Sequence, residues 1–343
     1  MTGENNYGAV VTKVRAMSAK LLDAEDYQQM SVMKSIPELI AFLGGKENYK
    51  GVFTSLKTSE INRDRLEQIL NTTLYRDYLK ILHYLNNEDT AFCKCYMYKY
   101  EINIVKNMIR QVMSGDVFRL EFESDDFFNM SSFKKIRIES VKNIDEVTRA
   151  IHETPYYEPL NALLKREKQP TLFEIETALD HFYFTELWKE RENVSPENRA
   201  VIEECVGTEA DLYNILWIYR SKKYFKVKDK YVYSYLIPVH YKLDADMIKK
   251  LTLSENTAKM RENLEKTPYD GALGNSAHMF ERAMLDFVMK DIGRRVKKGE
   301  QNISAVLWYL HAKELELGNI CSVAEGVRYS LRPAEIMNYV FIK

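Results

Sequence analysis

Glycine and proline are scarce, at 13 and 8 of 343 residues, which leaves long stretches free to run as helix. No Pro-rich, Ser-rich or low-complexity stretch separates one region from another, so any domains are expected to pack tightly together. No segment approaches the 18 or so consecutive apolar residues that span a bilayer. The longest apolar stretches, around Asn214–Tyr219 and Ser304–Leu310, are short and flanked by charge. An excess of either charge is also missing: 49 basic and 50 acidic side chains leave a net charge of −1. That balance gives no electrostatic reason to expect nucleic acid or an anionic membrane as the main partner. Cysteines number four, at Cys93, Cys95, Cys205 and Cys321. The opening Met1-Thr2-Gly3-Glu4-Asn5-Asn6 lacks a basic region and an apolar run, so a secretory signal is not expected and the thiols are expected to be reduced.

What is present is helical periodicity. From Gly8 to about Met33, Val10, Val11, Val14, Met17, Leu21 and Leu22 recur at three- and four-residue steps, which predicts one amphipathic helix. Ser35-Ile36-Pro37-Glu38 and Thr171-Leu172-Phe173-Glu174 fit the capping box, in which a hydroxyl and a carboxylate satisfy free backbone N–H groups. Ser195-Pro196-Glu197 places proline at a first helical position, and Thr208-Glu209-Ala210-Asp211 reads as another start. Two segments read otherwise. Lys230–Tyr241 is rich in tyrosine and valine, but Pro238 makes it an edge or connecting segment, and Val117–Glu123 is a second short β-leaning stretch.

Three markers recur in the same order along the chain. The first is a tyrosine after an apolar helix end, at Tyr49, Tyr156 and Tyr269. The second is a helical phrase, Glu67–Asn71, Glu176–Asp180 and Arg282–Asp286. The third is an acidic residue shortly before Asn in an apolar helix: Glu101 with Asn103, Asp211 with Asn214, and Glu316 with Asn319. Successive tyrosines lie 107 and 113 residues apart, and the acidic residues 110 and 105. The period exceeds that of common helical solenoids. It predicts a mainly α fold of three homologous helical domains, 1–118, 119–230 and 231–343, in a compact pseudo-threefold arrangement.

The motifs that carry chemistry are missing from this pattern. Gly44-Gly45-Lys46 lacks the spacing and hydroxyl of a phosphate loop, and no G-x-G-x-x-G occurs. Cys93-Lys94-Cys95 lacks the gap of a zinc knuckle and has no second pair, and the six histidines are scattered singly. Glu101, Asp211 and Glu316 raise the idea of three equivalent active sites. None has a recurring histidine, lysine or second carboxylate beside it, so with Asn103, Asn214 and Asn319 they are expected to pin the fold. Ser221–Tyr231, mixing lysine with aromatics after a helix end, reads as a solvated connector rather than a nucleic-acid groove. No catalytic, cofactor or metal site is expected. A binding role is favoured over catalysis, with a generic helical scaffold for a cytoplasmic assembly as the alternative.

Three groups of residues resemble a known family. Tyr7, Val14–Leu22 and Asp26-Tyr27 are similar to its opening helix, and Asp211–Ile215 with Arg220 to its middle copy. Lys313–Ile320, Glu325-Gly326 and Pro333–Ile336 are similar to its closing signature. The family is the C subunit of archaeal and bacterial V-type (A-type) ATPases, known as the d subunit in eukaryotes. The chain departs from it at Val239-His240, where glycine is usual, and at Arg332, where a capping residue is. The resemblance implies a funnel-like, non-catalytic rotor part peripheral on the cytoplasmic face of the membrane. It implies as partners the membrane proteolipid ring and the D and F subunits of the central stalk. Coupling of ATP turnover to proton or sodium transport is implied as its role.

Overall fold

A computed structural model describes residues 7–53, 61, 63–120, 127–128, 131–133, 138, 140–166, 170–225, 229–273 and 277–342. These are mainly α-helical, as the scarcity of glycine and proline predicts. By contact density the chain divides into two units. Unit 1 gathers Met1–Leu85, Leu120–Met130 and Ala305–Lys343, and unit 2 gathers Asn86–Arg119 and Ser131–Ser304.

In unit 1, α1 (Tyr7–Ser18) buries Val10, Val11, Val14 and Met17 and packs against α4 (Arg63–Leu82). Between them come α2 (Ala24–Ser31), α3 (Ile36–Gly45) and a 3-10 turn at Glu47–Tyr49. The predicted single helix from Gly8 to Met33 is therefore two. Asp23 breaks it by accepting the Asp26 N–H while Asp26 accepts the Asp23 N–H, a reciprocal cap that starts α2.

Unit 2 opens with α5 (Asn87–Met113). It continues through α6 (Ile144–Ala150), α7 (Tyr157–Leu164), α8 (Leu172–Glu190) and α9 (Pro196–Arg220). It ends with α10 (Ala245–Thr252), α11 (Thr257–Leu264) and α12 (Ala277–Lys297). Helix α8 lies against α5, α7 and α9, and α9 lies against α10 and α12. Three ion pairs reinforce these packings: Lys106–Asp180, Arg110–Glu176 and Arg295–Glu204. Helices α13 (Ser304–Arg328) and α14 (Pro333–Met337) then return the chain to unit 1, where α14 packs on α2.

Local chemistry accounts for most helix starts. The side chains of Ser35, Asn86, Asn143, Thr171, Ser195, Asp244 and Asn256 each accept the backbone N–H three residues on. Thr171 closes the full box with Glu174, whereas Glu38 reaches past Ser35 to the Lys34 N–H. At Arg332 the cap comes from the other side, since the Glu335 carboxylate accepts its N–H and pairs with its guanidinium. The start predicted at Thr208 does not exist. Thr208 to Asp211 lie inside α9, whose backbone donors are already satisfied by the preceding turn.

Of the two non-helical segments, Phe118–Arg119 forms β1 and pairs antiparallel with β2 (Ser140–Val141). The rest of that predicted stretch, from 121 to 123, lies outside the described residues. Asp229–Val232 and Tyr233–Tyr235 are short helical turns, and only the residues after them form the connecting segment that Pro238 implies.

Candidate functional site

In unit 2, α5 carries Glu101 into the interior, where its carboxylate is 1% exposed. One oxygen accepts the Ser132 N–H at 3.0 Å and the other accepts the Tyr156 hydroxyl at 3.1 Å. Tyr156 stands just after α6, fully buried, with its ring edge against Phe133. Burial pushes the Glu101 carboxyl up to about 7, and hydrogen bonds from Ser132 and Tyr156 only partly oppose that.

Farther along unit 2, Asp211 on α9 takes more donors. It accepts the Tyr269 hydroxyl at 2.8 Å and the backbone N–H groups of Tyr241, Lys242 and Leu243 at 3.2, 2.7 and 3.1 Å. Burial still raises its carboxyl above the ordinary range. One turn on, Asn214 pairs reciprocally with Ile237, accepting its N–H at 2.7 Å and donating to its carbonyl at 3.0 Å. Gly207 makes room for this: a Cβ there would stand 2.6 Å from the Tyr241 side chain.

Unit 1 repeats the arrangement with a cation added. Glu316 on α13 accepts the Tyr49 hydroxyl at 2.5 Å and the Leu22 N–H. Lys313, fully buried one turn earlier, donates to the same Glu316 oxygen at 2.6 Å and to the Tyr49 hydroxyl at 3.0 Å. Asn319 pairs with Phe341 as Asn214 does with Ile237, at 2.9 and 2.8 Å. Beside Glu316 lies a cavity of about 340 Å³, bordered by Leu22, Tyr27, Trp308, Asn319, Phe341 and Ile342. Burial and the neighbouring anion together hold Tyr49, Tyr156 and Tyr269 protonated well above their usual range, so each remains a donor.

A common plan joins the three. A carboxylate on a long helix accepts one or more backbone N–H groups from a later or distant segment, and a tyrosine hydroxyl from beyond them. Each tyrosine meets the carboxylate of the preceding predicted copy, Tyr156 with Glu101 and Tyr269 with Asp211. Tyr49, in the first, meets Glu316 in the last. Such a clamp ties distant chain segments with charge-assisted hydrogen bonds. Its acceptor sites face the chain's own donors, so the arrangement is suited to holding structure rather than a substrate.

Asn103 alone stands apart, exposed on α5. It lies two residues after Glu101, on the opposite face of the helix, whereas Asn214 and Asn319 lie three after their carboxylates and share their face. Ile104 holds the corresponding position in α5 and is buried. Sequence reasoning missed the buried pairing of Lys313, whose matching helix positions before Glu101 and Asp211 hold Tyr98 and Thr208. It also missed the buried pair of Tyr309 with Asp77 at 2.6 Å, and Asn198, which joins Asp89 at 2.7 Å to the Ile303 N–H at 3.0 Å. One signal could have exposed the short segments: cap residues Asp23 and Ser35 are spaced as Asp244 and Asn256 are. The four cysteines are buried and form no disulfide, and burial pushes the Cys93 and Cys95 thiols up, which disfavours their thiolates.

Comparison with known proteins places this architecture. Over 352 aligned residues the chain is 23% identical to the A-type ATP synthase C subunit of Methanosarcina acetivorans, covering 99% of this chain and 94% of that protein. It is 24% identical to the A-type ATP synthase C subunit of Archaeoglobus fulgidus, covering 97% and 95% respectively. The corresponding C subunit of Methanosarcina mazei matches at 27% identity over 228 residues, 64% of this chain and 60% of that protein. Residues 10–339 match the family described as ATP synthase (C/AC39) subunit, and the chain belongs to that family.

Proposed function

We propose that this protein is the non-catalytic connector of the central rotor in an A/V-type ATPase, linking the central stalk to the membrane proteolipid ring. In that role it receives the D and F subunits of the stalk on one side and sits peripherally on the cytoplasmic face of the membrane. It thereby couples ATP turnover to proton or sodium transport. The observation that carries the reading is the family match along nearly the whole chain, to relatives named as the C subunit of A-type ATP synthases.

The clamps agree with it physically. A part that transmits torque must resist deformation, and buried charge-assisted hydrogen bonds between distant segments provide stiffness. Three copies, 1–118, 119–230 and 231–343, are the unit of construction in this reading; the second and third each donate a tyrosine to the carboxylate of the copy before, and the first donates Tyr49 to Glu316 in the last. Among the described residues, no helix is long and apolar enough to cross a membrane.

The test is reconstitution. Complex rebuilt with every other subunit but without this chain should lose ion pumping driven by ATP. The purified chain should bind D–F stalk and proteolipid ring and hydrolyse no ATP alone. Pumping at full rate in its absence would sink the proposal.

A further inference from the structure

Tyr27, buried on α2, has three carboxylates around it, from Asp23, Asp26 and Glu316. Two of them have cations of their own. Asp26 pairs with Lys46, and Glu316 pairs with Lys313. Asp23, exposed at the start of α2, spends one oxygen on the Asp26 N–H at 3.0 Å. Among the described residues no cation pairs with it, so one negative charge is left over beside Tyr27. Burial and the three carboxylates together push the Tyr27 phenol well above its usual range.

The unmatched charge borders the cavity beside Glu316. Asp23 and Glu316 line that cavity together with the aromatic side chains Tyr27, Trp308 and Phe341, and no lysine, arginine or histidine lines it among the described residues. Its volume of about 340 Å³ is that of a small-ligand site. A carboxylate beside aromatic rings suits an ammonium ion, because the negative face of each ring attracts a cation that water hydrates weakly. Unit 1 uses this combination twice for its own lysines. Lys313 Nζ stands 4.4 Å from the Tyr49 ring centroid while paired with Glu316. Lys46 Nζ stands 4.9 Å from the Phe42 ring centroid while paired with Asp26.

We propose that this cavity binds a small organic cation, an ammonium bearing apolar groups, with its charge toward Asp23 and its apolar groups against Tyr27 and Trp308. An anion meets repulsion from Asp23, and a neutral molecule leaves the carboxylate unanswered. The Lys313–Glu316 pair is already matched and stays intact when the cation binds.

The test compares choline with tert-butylethanol, in which carbon replaces the charged nitrogen at almost unchanged shape. Each is titrated into the full, folded chain at constant ionic strength. The Trp308 indole N–H resonance should shift saturably with choline, at a dissociation constant about tenfold below that of the neutral isostere. Equal affinities, or no saturable shift at residues bordering the cavity, overturn the site. A second arm uses Asp23→Asn, which keeps the helix start because asparagine caps as well as aspartate. It should remove most of the preference for choline and leave the affinity for the isostere unchanged. A preference that survives this substitution overturns the proposal, as does an equal loss of both ligands.

Discussion

Glu101 and Glu316 occupy the same place in the plan and solve its electrostatic problem differently. Each is a carboxylate withdrawn from water, 1% and 2% exposed, and each accepts one tyrosine hydroxyl and one backbone N–H. Glu316 has a buried ammonium on its own helix, at Lys313. Glu101 has no such partner among the described residues, and burial holds its proton to about 7. The position at Glu101 thus favours the neutral acid, whereas the position at Glu316 depends on a matched pair. Charge removal should be mild at one and severe at the other.

The largest expected effect comes from Lys313→Met. It leaves the Glu316 carboxylate buried without its cation, a change that costs about 3–5 kcal/mol where one partner of a buried pair is removed. The urea midpoint of unit 1 should fall accordingly, and Lys313→Met with Glu316→Gln should recover most of the loss. A single variant no less stable than wild type would show that the pair contributes nothing.

Glu101 supplies the contrasting pH dependence. The folded protein keeps this proton to about 7, against an ordinary value of 4.5, so it binds more protons than the unfolded chain between those limits. Stability from the group is complete below about 4.5 and is lost as pH rises through about 7, on the order of 3 kcal/mol at most. Glu101→Gln keeps an acceptor for the Ser132 N–H and offers its amide to Tyr156. The difference in stability between wild type and this variant should therefore change across that window and be flat above pH 8 or so. A difference that is constant from pH 4 to 8 would contradict the assignment.

This contrast lay outside what the sequence could show, for identifiable reasons. Tyr49, Tyr156, Tyr269 and the three carboxylates were legible because residue identity recurs at nearly constant spacing. Their pairing was not, since each tyrosine reaches a carboxylate at least 55 residues away and no local pattern encodes that reach. The N–H donors of Leu22, Ser132 and Tyr241–Leu243 belong to backbone, which residue type cannot mark. Asn103 was drawn in by its nearness to Glu101, although two residues along a helix turn a side chain to the far side. The break at Asp23 was hidden under an apolar period that continued through it, because α1 and its neighbouring loop bury the same stripe. Helix class and most capped starts were readable because they depend on neighbours within four residues.

A third measurement grades the clamps by their remaining donors. Tyr156→Phe leaves Glu101 with Ser132 alone, through its N–H and its hydroxyl, whereas Tyr269→Phe leaves Asp211 with three backbone N–H groups. Loss of a hydrogen bond to a buried carboxylate costs about 1.5–3 kcal/mol, and the cost is greatest where fewest donors remain. Above pH 8, Tyr156→Phe should destabilise by about 2 kcal/mol and Tyr269→Phe by about 1. Equal losses would mean that donor number does not govern these sites.

The smallest effect is a gain, and it separates the clamp on α13 from the end of the same helix. Helices α5, α12 and α13 finish alike, with a residue in the left-handed region and a hydrogen bond closing six residues. The bonds are Asp116 N–H to Gln111 C=O at 2.9 Å, Glu300 to Arg295 at 3.2 Å, and Leu331 to Gly326 at 2.9 Å. The first two use Gly115 and Gly299, at φ of 85° and 75°, but α13 uses Ser330 at 54°. A residue with a Cβ strains in that conformation by roughly 1–2 kcal/mol, which glycine avoids at some cost in unfolded-chain entropy. Ser330→Gly should therefore stabilise unit 1 by about 0.5–1 kcal/mol, measured as a raised urea midpoint. Lys313→Met should cost the same in that background as in wild type, because the two changes lie at separate turns of α13 with no shared partner. A changed cost would mean that the helix end and the Glu316 clamp are mechanically coupled.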